Sequence, residues 1–130
     1  MAGFQFKPDA NKLRLEIEGQ TFDVDPFAKN VIAGAAAFAA TMSNLEFGDI
    51  LKPESSEQID KAMQAIADMV NATLGADAYQ KLSAGRDLGI MDNFELATYI
   101  ATSINNFRAK RLDQFLNDGI AMLKEGATVQ

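Results

Sequence analysis

Between Leu13 and Val24 the chain alternates strictly, and beyond Asp25 that alternation stops. Leu13, Leu15 and Ile17 are interleaved with Arg14, Glu16 and Glu18, and Phe22 and Val24 with Asp23 and Asp25. A period of two on both sides of Gly19-Gln20 predicts a β-hairpin over about residues 12–25 with one apolar face. Two strands alone are marginally stable in water, so that face must lie on something else. Phe4 and Phe6 suggest a short leading strand, which Pro8 would end.

The covering layer is helical by its spacing. Asp25 is a natural N-cap and Pro26 suits a first helical position, where the missing N–H costs nothing. Phe27, Val31, Gly34/Ala35, Phe38, Met42 and Leu45 then recur at three and four, which predicts a helix over about 26–45. Its segment Val31–Ala40 (VIAGAAAFAA) is too short to span a bilayer and mostly Ala, so a helix buried in protein is expected. Gly, Asp and Pro mark Phe47–Glu54 as a loop. A second helix is expected over about 56–74, opened by a Ser55-x-x-Gln58 capping box and closed by Gly75. Its stripe is Ile59, Met63, Ile66, Val70 and Leu74. Asp77–Leu82 predicts a short third helix, about 77–83, ended by Gly85.

The last helical region, about 93–124, is expected to open on an Asp92-x-x-Glu95 capping box. Leu96, Ile100, Ile104 and Phe107 share one face. Leu112, Phe115, Leu116, Ile120 and Leu123 form a stripe rotated from it by roughly 120° at 100° per residue. Two readings fit. Either the helix breaks near 105–111 and its end folds back, or it continues and its end faces something other than the core. A continuous helix of that length measures about 48 Å, longer than so small a domain is wide. The expected architecture is α+β: an N-terminal β-hairpin packed on a small bundle of about four α-helices, predominantly helical, in a single domain over 1–130.

Composition narrows function mainly by subtraction. The chain has no His and no Cys, which removes the usual general base, the thiol nucleophile and the commonest transition-metal ligands. Its net charge of −6 disfavours phosphate-backbone binding, so no nucleic-acid partner is expected. Neither phosphate-cradling glycine motif is present. Asp23-x-Asp25 begins like a calcium loop, but Pro26 and Phe27 spoil its spacing. No catalytic, cofactor or metal residue stands out, no cofactor is expected, and the chain is expected not to be an enzyme. Without a basic flank and apolar run before a cleavage site, a soluble, cytoplasmic location with no membrane partner is the expectation.

What remains is protein binding. Arg108, Lys110 and Arg111 are the tightest basic cluster, readable as a solvated helix face or as a docking patch for an acidic partner. They lie where the apolar stripe changes direction. The candidate partner-binding residues are therefore Arg108, Lys110, Arg111, Leu112, Phe115, Leu116 and Ile120, with self-association through the C-terminal stripe as a further expectation.

Two family likenesses bear on this. Leu74-Gly75-Ala76-Asp77 resembles the L-G-A-D-S stretch of acyl carrier proteins, but Ala78 stands where the phosphopantetheine-bearing Ser would be, so the carrier reading fails. The order of a hairpin KLRLEIEGQTFDVD, an amphipathic helix, a second helix ending in ATLGADAYQKLSAG and a capped final helix resembles the tail assembly chaperones of long-tailed bacteriophages. A Leu/Phe-Gly turn closed by Leu/Phe, as at Leu74–Leu82, is similar to theirs, and the likeness covers Leu13 to Phe107. It implies a non-enzymatic role in phage tail morphogenesis in the bacterial cytoplasm, with the tape measure protein as client and tail tube subunits as recruits. A minor structural subunit of the tail or head-tail connector is the alternative.

Overall fold

The computed structural model describes residues 3–45 and 56–129, with side chains as far as Ile120 and at Leu123. An antiparallel hairpin, β1 (Leu13–Ile17) and β2 (Gln20–Val24), is followed by α1 (Lys29–Ser43), α2 (Ser56–Leu74), α3 (Ala78–Ser83) and α4 (Ile90–Val129). The fold is thus α+β and predominantly helical. The loop expected at Phe47–Glu54 and the Ser55 half of its capping box lie outside the described residues.

The hairpin register places Leu13 opposite Val24, Leu15 opposite Phe22 and Ile17 opposite Gln20. Its turn is Glu18-Gly19, one residue earlier than the sequence suggested. Both residues have positive φ (52° and 76°), the pattern of a type I′ turn, whose twist matches the strands it joins. Leu15 and Val24 are almost wholly buried, while Arg14 and Asp23 pair at 3.2 Å on the wet face. Phe4 and Phe6 form no strand. They stack edge-to-face with centroids 4.8 Å apart, both exposed, ahead of a 3-10 turn at Pro8–Asn11.

Helix α1 starts three residues after the proline rather than at it. The Asp25 carboxylate accepts a hydrogen bond from the Phe27 N–H (2.9 Å), and the Asp25 carbonyl accepts one from the Ala28 N–H (3.1 Å). This local turn outcompetes the first helical turn, so Asp25 caps a bend and Ala28 becomes the N-cap. Helix α4 likewise starts at Ile90, earlier than Asp92 implied. Asp92 occupies the third helical position and its carboxylate reaches back to the Gly89 N–H (2.9 Å), one half of a capping box. Gly89 has no side chain to supply the other half.

Helix α2 is the axis of the core. The hairpin lays its apolar face against α2 and α4, and α1 packs along α2. Ile66, Val70 and Ile100 are completely buried, with Leu15, Val24, Met69 and Ile104 around them. At Gly34 the two helices touch so closely that an added Cβ would lie 2.7 Å from the Ala72 Cβ. A buried polar junction locks α3 in place. Asn93 accepts a hydrogen bond from the Tyr79 hydroxyl and donates to the Gly89 carbonyl (2.7 Å). Asn71 accepts from the Tyr79 N–H (2.8 Å).

Candidate functional site

Helix α4 is continuous across residues 105–111, so of the two readings left by the displaced stripe the unbroken one stands. Forty residues at 1.5 Å each give a helix of about 60 Å. Its core-facing residues end at Ile104, and from Leu112 onward it leaves the body as an arm. Leu112, Phe115, Leu116 and Ile120 are all exposed, as is Leu123, which belongs with them and is the barest at 73%. Apolar side chains in that arrangement are costly to leave in water, and a contiguous patch of them marks an interaction surface.

The basic cluster is divided by the structure. Arg108 is half-buried, and its Nε donates to the Pro26 carbonyl at 2.7 Å. The Arg108 Nη2 is buried with no acceptor among the described residues. Arg111 donates from Nε and Nη2 to the Asn11 Oδ1 (3.2 and 2.9 Å) and from Nη1 to the Gln114 Oε1 (2.9 Å). Both guanidinium groups therefore tie α4 to the N-terminal segment. Lys110 is exposed.

A second element of the site carries no signal of its own in a periodicity scan. Helices α1 and α4 flank α2 without closing on each other, leaving a groove between them. One half, about 500 Å³, is walled by Ile32, Ala36 and Ala39 of α1 and by Ala101, Ile104 and Asn105 of α4, over Met69 and Thr73 of α2. The other half, about 460 Å³, continues past Phe38 and Ala101 to Met42, Phe94 and Thr98. Arg108, at one end, is the charged residue among those lining either half. The signal that could have revealed this groove lies in α1: from Asn30 to Leu45 the sequence has no charged residue, yet only Val31 in this helix is buried. Ile32, Ala36 and Ala39 are exposed. An apolar helix that one chain leaves bare is a helix awaiting cover.

Compared with family models, with characterised proteins and with solved structures, the chain matches none.

Among the described residues the carboxylates are dispersed or occupied. Glu16, Glu18, Asp92 and Glu95 rim a cleft of about 290 Å³ between the hairpin and α4, over Ile17 and Leu96. Glu18 pairs with Arg86 at 3.0 Å, Asp92 caps α4, and all of them are exposed. Asp23 and Asp25, the residues resembling a calcium loop, are taken up by Arg14 and by the turn before α1. Among the described residues no three acidic side chains converge as a metal would require, and no helix is long and apolar enough to cross a membrane. The arrangement is an arm with an apolar face and, beside it, a groove lined by small residues together with Ile32, Phe38, Met42 and Phe94.

Proposed function

We propose that this chain is a non-enzymatic protein-binding factor whose working surface is the apolar face of α4 and the groove beside it. The observation that carries the reading is the exposure of Leu112, Phe115, Leu116 and Ile120 on an unbroken helix that has left the core. A helical client fits this surface by the usual helix-in-groove logic, with anchors every three or four residues. The net charge of −6 keeps such a binder soluble and away from nucleic acid.

The specific form of the proposal is a phage tail assembly chaperone in the bacterial cytoplasm, which holds the tape measure protein and recruits tail tube subunits. The order of hairpin, helices and the Leu74–Leu82 turn supports it through the resemblance described above. A tape measure fragment encoded beside this chain should co-elute with it in size-exclusion chromatography. Leu116→Asp should abolish co-elution while leaving the helical circular dichroism intact. Failure of the wild-type pair to co-elute would remove the chaperone reading, and recovery of this chain from purified mature virions would favour a structural subunit instead.

A further inference from the structure

The two halves of the candidate site lie on one face of one helix. At 100° per residue, Phe94, Ala101 and Asn105, which line the groove, fall within about 60° of Leu112, Leu116 and Leu123 on the arm. We propose that α4 pairs antiparallel with α4 of a second copy across a two-fold axis beside Arg108, so that each arm seats in the other copy's groove. Such an axis sets Leu112 opposite Asn105, Leu116 opposite Ala101 and Leu123 opposite Phe94 of the second copy. One surface patch then meets itself, as a two-fold interface requires.

Shape supports this occupant. The arm presents large side chains at Leu112, Phe115, Leu116 and Ile120, whereas the groove has small ones at Ala36, Ala39, Thr98 and Ala101 between larger walls at Ile32, Phe38, Met42 and Phe94. Small residues let the helices approach closely, and large ones fill the space between α1 and α4. Lengths agree as well: Leu112 to Leu123 and Phe94 to Asn105 each cover eleven steps, about 17 Å of helix. An arm cannot enter its own groove, because α4 is unbroken between them.

Area points the same way. The five bare side chains of one arm, each about 150–200 Å² and 40–73% exposed, offer on the order of 500 Å². Two arms and the two grooves they cover then bury on the order of 2,000 Å², in the range of stable complexes. The pairing also covers the uncharged flank of α1. The same arm and groove form the surface proposed above for a helical client, so a second copy and a client compete for it.

Because the chain has no cysteine, single introduced thiols report the pairing cleanly. Ala101→Cys and Leu116→Cys variants of the full chain, mixed and oxidised, should give a disulfide-linked dimer carrying one of each. Light scattering of the wild-type chain should give twice the 14.1 kDa chain mass, and Leu116→Asp should restore the single mass without loss of helicity. A wild-type mass of 14.1 kDa at every concentration up to the millimolar range would overturn the proposal. So would a Leu116→Cys variant that links only to itself, since arms would then pair with arms and leave the grooves open.

Discussion

At the scale of single residues, the close contact at Gly34 is the sharpest constraint. A side chain there meets the Ala72 Cβ at 2.7 Å, and Ala72 is too short to swing aside. Gly34→Val should therefore push α1 off α2 and cost about 2 kcal/mol or more, read as a lower midpoint in urea unfolding. Tyr79→Phe leaves the Asn93 side-chain carbonyl without the hydroxyl that now donates to it. Asn93 is 1% exposed, so water cannot easily replace the lost donor, and a loss of about 1–2 kcal/mol is expected in the same measurement. Arg108 and Arg111 show why a basic cluster read from sequence is ambiguous. Spacing reveals that three cations lie together, but their acceptors, the Pro26 carbonyl and the Asn11 side chain, are 82 and 100 positions away.

At the scale of elements, the hairpin and α2 were legible because one local rule governs each. Alternation sets which side of Leu13–Val24 faces the core, and the stripe through Ile66 and Val70 sets the buried face of α2, which runs over Ser56–Leu74. The starts of α1 and α4 were displaced where two local signals compete. Asp25 satisfies a turn before it can cap a helix, and Asp92 serves the helix from its third position rather than its first. The stripe shift in α4 was legible as a shift, but its meaning was not, since an exposed apolar face and a folded-back one have the same spacing. The groove was illegible for a different reason: it lies between α1 and α4, which are far apart in sequence. Truncation after Lys110 removes only residues beyond the last core contact at Ile104. The shortened chain should keep its cooperative unfolding in dilute solution and lose co-elution with any helical client. A collapse of its near-ultraviolet circular dichroism would show instead that the arm belongs to the core.

At the scale of the whole molecule, the bare apolar surfaces among the described residues include the arm and the outer flank of α1. Association that covers both couples stability to concentration, because only the folded state can pair. The melting temperature of the wild-type chain should rise by roughly 3–5 °C for each tenfold increase in protein, and that of Leu116→Asp should stay constant. Since the contact is mainly apolar, added salt should weaken it little.

Hydrogen–deuterium exchange of the full chain across a concentration series follows the arm and the groove at once. If the arm of one copy seats in the groove of another, amides of Leu112–Ile120 and of Ile32–Ala39 gain protection together, over one concentration range. Arm amides that exchange at a constant fast rate at every concentration, alone and with a helical client, would contradict it.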